Sequence, residues 1–265
     1  MKLLYTSFIL LLSGLAFPLR AGEDFCGIHN KAFITGESIT YRAYYTLAGV
    51  YVAAGEAVFS TALEEIGGKP VYHVTGEGKT YPFYDKFFRV RDKYESFIDT
   101  ATMQPLKFLR NVDEGGYKIY ENVSFNKAVN TAITTKGVYK IPSCIQDVIS
   151  SIYYARNIDF SKLKVNDKIP FDMFLDNQVY NIYIRYLGKE IVKTKYGRFR
   201  AIKFKPLLIK GTIFEGGEKM NVWVSDDGNH IPLRVESPIT VGSVKVDMMD
   251  FRNRRYPLSS LMDVQ

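Results

Sequence analysis

Chemistry in this chain of 265 residues would have to start from two cysteines, three histidines and a handful of carboxylates. Cys26 and Cys144 lack the CxxC spacing of redox or zinc sites. In an oxidising compartment such an even pair is best explained by a disulfide tying the amino-terminal segment to mid-chain, with two free buried thiols as the alternative. His29, His73 and His230 are isolated in sequence, and a lone histidine is more often structural than catalytic. Asp172 and Asp176 flank Phe171, Met173 and Phe174 near a turn. They could form a carboxylate pair for acid/base work, although solvated strand-end acids are the plainer reading. The chain has no HExxH, no GxSxG, no P-loop and no GxGxxG opening a helix. The sequence therefore assigns no catalytic residue, no metal ligand and no cofactor.

The densest unusual feature is Tyr81-Pro82-Phe83-Tyr84-Asp85-Lys86-Phe87-Phe88, with five aromatics in eight residues. Pro82 is poorly tolerated inside a strand, so a loop or short helical turn is expected here. Tyr81, Phe83, Tyr84 and Phe87 are candidates for a ligand mouth, an aromatic loop closing over an apolar molecule held in a curled sheet. The competing reading makes these rings a plug for one end of the core.

The elements that would position these residues are mostly strands. Aromatics make up 14% of the chain, 19 Tyr and 18 Phe against one Trp, and such side chains suit a pleated, half-buried surface. Ile39 to Leu47 alternates with period two, and the pattern returns in Tyr117 to Phe125, Tyr180 to Tyr186 and Met220 to Val224. Breaks at Gly67-Gly68, Glu114-Gly115-Gly116, Tyr196-Gly197, Glu215-Gly216-Gly217 and Asp226-Asp227-Gly228-Asn229 carry hairpin chemistry, so neighbouring strands should pair antiparallel. One stretch differs: Ile145, Val148, Ile149, Ile152 and Tyr153 recur at helical spacing behind a Ser143/Gln146 capping box. A helix is expected from Ser143 to Arg156, with Cys144 in its first turn. The fold class is mainly β: a large curled antiparallel sheet, whether roll, half-barrel or barrel, with one helix packed on it.

Residues 1–21 read as a signal peptide, with Lys2 ahead of an uncharged apolar stretch and Ala21 as the small residue at the cut. Residues 22–265 then form a single β-rich domain beginning at Gly22. Glu23, Asp24 and Phe25 before Cys26 do not fit a lipoprotein signal, and no later apolar run suggests a transmembrane anchor. The protein is expected in the periplasm or otherwise exported. The formal charge is +7, of which Lys2 and Arg20 belong to the leader. Lys86, Arg89, Arg91 and Lys93 interleave with Asp85, Asp92 and Glu95, which speaks against a nucleic-acid partner.

Nine stretches together resemble the exported bacterial proteins of the domain of unknown function 3108 family. They are Cys26-Gly27 with His29-Asn30, Gly36-Glu37 with Tyr41, Gly78-Lys79-Thr80, Arg91-Asp92 with Glu95, and Glu114-Gly115-Gly116-Tyr117. Cys144 with Gln146-Asp147-Val148, Tyr153-Tyr154-Ala155-Arg156, Trp223 with Asp226-Asp227, and Pro232-Leu233-Arg234 complete the set. The resemblance implies a β-rich envelope protein and supplies no catalytic residues. A looser likeness, to the half-barrel carriers of lipoproteins and lipids, is a fold-level analogy. Three functions compete: a carrier or binding protein for a lipid or other apolar or amphipathic ligand, a structural or assembly factor of the cell envelope, and an unrecognised enzyme.

Overall fold

The computed structural model describes residues 26–47, 49–209, 216–239 and 242–264, so the leader and its cleavage site lie outside the described residues. In chain order the strands are β1 (Ser38–Leu47), β2 (Val50–Ile66), β3 (Lys69–Thr80), β4 (Val90–Asp99), β5 (Pro105–Glu114), β6 (Tyr117–Asn126), β7 (Thr131–Thr134) and β8 (Gly137–Lys140). After a gap they continue as β9 (Lys168–Leu175), β10 (Gln178–Lys193), β11 (Gly197–Pro206), β12 (Asn221–Ser225), β13 (Pro232–Pro238), β14 (Ser243–Arg252) and β15 (Leu261–Val264). Two helices, α1 (Pro82–Asp85) and α2 (Val148–Ala155), interrupt them.

All the strands join one antiparallel sheet in the order β8-β7-β6-β5-β4-β3-β2-β1-β14-β13-β12-β11-β10-β9, with β15 added to β11. The expected alternation produces it: in β6 Glu121, Val123 and Phe125 are buried while Lys118, Tyr120 and Ser124 are exposed. Glycines at positive φ, such as Gly67-Gly68 and Gly115-Gly116, make the tight turns between paired strands.

The sheet curls until its two ends meet, but no strand ladder closes it. Helix α2 touches β3 and β4 on one arm and β9 on the other. Phe174 of β9 lies 6.1 Å from Phe125 of β6 and 5.8 Å from Tyr139 of β8, ring centre to ring centre. The Thr134 hydroxyl donates to Asn177 at 2.8 Å. A seam of side chains thus replaces the missing ladder, and the result is an open barrel.

Register separates the barrel into two ends. The tips at 47–50, 114–117 and 175–178 lie at one end with α1, called upper here, while 66–69, 193–197 and 225–232 lie at the lower end. Helix α2 plugs the lower half, where Ile149, Tyr153 and Tyr154 bury against Phe33, Val74, Ile98, Phe108 and Ile202 in the main core. A second core, built on Ile39, Tyr41, Phe199, Trp223, Leu233 and Met248, joins β1 to β11–β14.

The expected helix is shorter than its periodicity suggested, starting at Val148 rather than Ser143. The backbone of Gln146 is taken by β9: its N–H donates to the Asp172 carbonyl at 2.9 Å and its carbonyl accepts from Phe174 at 2.8 Å. A residue pairing as strand cannot also open a helix. The cap is instead Asp147 with Ser150, each bonding the other's backbone N–H. Cys144 consequently sits before the helix, not in its first turn. It does form the expected disulfide with Cys26, with Cα atoms 5.6 Å apart.

A buried ion pair completes the lower plug. Arg156, just after α2, donates to both carboxylate oxygens of Glu37 at 2.5 and 2.8 Å and to the Asn229 carbonyl at 3.1 Å. Its guanidinium lies over the rings of Phe33 and Tyr153. Asp227 organises the adjoining turn by accepting from Ser225, Asn229 and Ser260.

Candidate functional site

Above the plug the inner wall changes character. On β3 the residues Val74, Gly76 and Gly78 share a face, and their β4 neighbours Ser96, Tyr94 and Asp92 continue it toward the upper end. The lower members pack in the core: Val74 is fully buried and Ser96 donates to Asp147 of the plug at 2.6 Å. The upper members are only half-buried, as are Ala57 on β2, Ile119 on β6, Val235 on β13 and Val246 on β14. Small residues, Ala43, Ala57, Gly76 and Gly78, project little from this wall. A side chain added at Gly78 would meet no atom within 4 Å. The upper half of the concave face is therefore a groove floored by short side chains and walled by apolar ones.

One side of that groove carries polar groups. Arg110 of β5 is buried, pairs with Glu121 of β6 at 3.0 Å, and reaches across the open edge of the sheet to Asp176 in the β9–β10 turn. Its Nε has no hydrogen-bond partner among the described residues. Burial pushes the Glu121 carboxyl above the ordinary range and lifts the neighbouring Tyr94 phenol to about 12. Asp92 rises to about 7, first through burial and then through the adjacent Glu114 carboxylate. Near neutral pH this pair holds a proton, which keeps the inner wall closer to neutral than its acid content suggests.

Helix α1 stands at the upper end, and its setting is fixed by polar contacts. The Thr80 hydroxyl donates to Asp85 at 2.5 Å and accepts from the Val90 N–H at 3.0 Å, while Arg91 grips both oxygens of Asp85 at 3.0 and 2.6 Å. The N–H of Tyr81 donates to the Ala54 carbonyl, tying the loop to β2. Phe83 and Phe87 are exposed, at 66% and 74%, so these rings do not plug the core. Tyr81 and Tyr84 are half-buried, and Phe83 packs edge-on against Tyr84 with ring centres 5.5 Å apart.

The other sequence candidates disperse. Asp172 accepts from Asn181 across the β9–β10 hairpin, whereas Asp176 turns to Arg110, so the two carboxylates form no pair. His29 contacts the Ala101 carbonyl, and His73 sits between Glu64 and Glu95 against the Phe97 ring. His230 meets the Arg156 carbonyl, and burial lowers its pKa. No cluster of metal-ligating groups occurs among the described residues. Shallow depressions of about 400 Å³ beside Lys127 and about 330 Å³ between Glu56 and Arg91 lie away from the groove.

Sequence reasoning missed Arg110, Glu121, Asp92 and Glu114. Their signal was phase: Arg110 falls in step with Phe108 and Val112, and Glu121 with Val123 and Phe125, so charged groups occupy inward positions.

The family model described as protein of unknown function (DUF3108) matches residues 40–249. The chain belongs to this family. Among solved structures it is similar to the β-barrel-like protein of domain of unknown function DUF1849 from Brucella abortus, at 8% identity and a TM-score of 0.56. That alignment covers 84% of this chain and 99% of the other, and it shows a shared fold. Weaker likenesses are to a "putative lipoprotein" from Parabacteroides distasonis (TM-score 0.37, 11% identity, 85% and 99% covered) and a "putative exported protein with YmcC-like fold" from Bacteroides fragilis (TM-score 0.31, 14% identity, 86% and 99% covered). No curated protein matches the chain. The DUF3108 motifs fall into two groups. Cys26, Glu37, Cys144, Asp147, Arg156 and Asp227 build the lower plug, whereas Gly78, Thr80, Asp92 and Glu114 belong to the upper wall and to the loop setting.

Proposed function

We propose that this DUF3108 protein is an exported binding protein or carrier for an apolar or amphipathic molecule, held in the upper half of the concave face. The observation that supports this reading is the asymmetry of the barrel. The lower half is filled by α2, whereas the upper half keeps half-buried apolar walls over a floor of alanine and glycine. A wall that served only as core would be expected to be covered as fully as the lower one. Tyr81, Phe83, Tyr84 and Phe87 stand at the same end and serve as the mouth. Export follows from the leader pattern, with cleavage after Ala21 giving a chain that begins at Gly22 and carries no lipid anchor on Cys26. Among the described residues no helix is long and apolar enough to cross a membrane.

The test is binding of an environment-sensitive apolar dye by delipidated protein. Wild type should take up the dye, and Val235→Asp, which places a charge on the half-buried wall, should abolish uptake while leaving the circular dichroism spectrum unchanged. Equal uptake by both proteins would refute the groove as the binding site.

A further inference from the structure

We propose that the upper rim docks on an anionic membrane surface, with its exposed rings entering the headgroup region around the mouth of the groove. The proposal rests on the carrier reading and names the surface with which the carrier would exchange its ligand. Its basis is the contiguity of rings from three separate segments. Val50 and Tyr51 at the start of β2, Phe83, Phe87 and Phe88 around α1, and Tyr117 at the start of β6 are all exposed.

Contacts join these segments into one patch. Phe83 and Phe87 are 5.7 Å apart, and the Phe88 ring lies so close over Gly115 that a Cβ there would come within 2.5 Å of it. The Gly115 N–H donates to the Arg89 carbonyl at 2.8 Å, and Tyr81 is bonded to β2. Monomeric proteins seldom leave apolar patches of this kind open to water without a partner.

Charge favours a lipid partner over a protein one. The carboxylates of the rim are engaged internally: Asp85 by Arg91 at 2.6 Å, Asp113 by Arg89 at 2.6 Å, and Glu114 beside Asp92 on the inner wall. Lys86 and Lys118 are exposed beside the rings, and Lys118 approaches Asp113 only to 4.0 Å. Single aromatic side chains on projecting tips, flanked by lysines, match the chemistry of interfacial anchoring to anionic lipid. Docking in this pose would set the groove mouth against the bilayer, so a ligand could pass without crossing bulk water.

Flotation of the mature protein with vesicles of phosphatidylethanolamine and phosphatidylglycerol, beside pure phosphatidylcholine vesicles, tests the proposal. Wild type should float with the anionic vesicles at low salt and less at high salt. Phe83→Ser/Phe87→Ser, with both rings exposed and thermal unfolding expected to match wild type, should lower the bound fraction about tenfold. Lys86→Glu/Lys118→Glu should abolish the preference for anionic vesicles. Val235→Asp, deprived of cargo, should still float, which separates docking from binding. Wild-type protein that carries lipid yet stays with the soluble fraction would overturn docking and leave the carrier reading standing. Binding to native envelope vesicles but not to pure lipid would also overturn it, in favour of a protein partner. Protein that floats without taking up cargo would keep docking and remove the carrier reading.

Discussion

Replacing Glu37 with Gln should destabilise the protein strongly, and its loss can be worked from the geometry of the lower plug. Glu37 and Arg156 are almost wholly buried, with side-chain exposures of 1% and 2%. Removing one partner of a buried ion pair typically costs about 3–5 kcal/mol, because the other charge is left unpaired. Here the Asn229 carbonyl and the rings of Phe33 and Tyr153 still face the guanidinium, and cation–π contacts offset roughly 1 kcal/mol of that. A net loss of about 2–4 kcal/mol follows. Glu37→Gln/Arg156→Met removes both charges and should recover much of it, giving a coupling energy of about 2 kcal/mol. Urea unfolding followed through Trp223, which sits in the second core, is the assay. Additive single and double losses would refute the clamp as an energetic unit. Folded Glu37→Gln protein should bind the apolar dye like wild type, because the clamp lies at the end opposite the groove.

Three further outcomes are expected. Cys26→Ser/Cys144→Ser should lower the melting temperature and expose the segment before β1 to hydrogen exchange. A separation of 118 residues corresponds to about 4–5 kcal/mol in the chain-entropy model, and an unchanged melting temperature would contradict that role. The raised folded-state values of Asp92, about 7, and Asp147, about 6, mean that native protein holds protons which the unfolded chain releases near pH 4. Their stabilising contribution is full below pH 4 and is lost as pH rises through 6 to 7. Asp92→Asn should therefore be more stable than wild type at pH 8, by about 1–2 kcal/mol after allowance for its partial exposure, and equal to it near pH 4. Amino-terminal sequencing of the exported protein should return Gly22, and recovery of Met1 would contradict cleavage.

Much of the sheet was legible because its strands obey a period of two and its turns carry glycine. Ile39 to Leu47 and Tyr117 to Phe125 fall within β1 and β6 as expected. The start of α2 was not legible, since the Ser143/Gln146 spacing satisfies a capping box equally well when Gln146 pairs with β9. Local pattern cannot report a partner that arrives from across the barrel. The same limit hid the polar wall: Arg110 meets Asp176 only because the sheet curls, and curl is a property of fifteen strands together. The Tyr81 to Phe88 loop was visible by composition, whereas its exposure depends on the plug lying at the other end.

Solvent extraction and mass spectrometry of native protein, purified from the envelope without detergent, test the central claim most directly. The account predicts a bound lipid or other apolar molecule, retained less by Phe83→Ala/Tyr84→Ala/Phe87→Ala. The three rings contribute through apolar area at ~25 cal/mol per Å², so their joint loss should be measurable. Extracts no richer in apolar material than a control protein's, together with an upper groove filled by side chains in a crystal structure, would contradict it and leave the assembly-factor reading in its place.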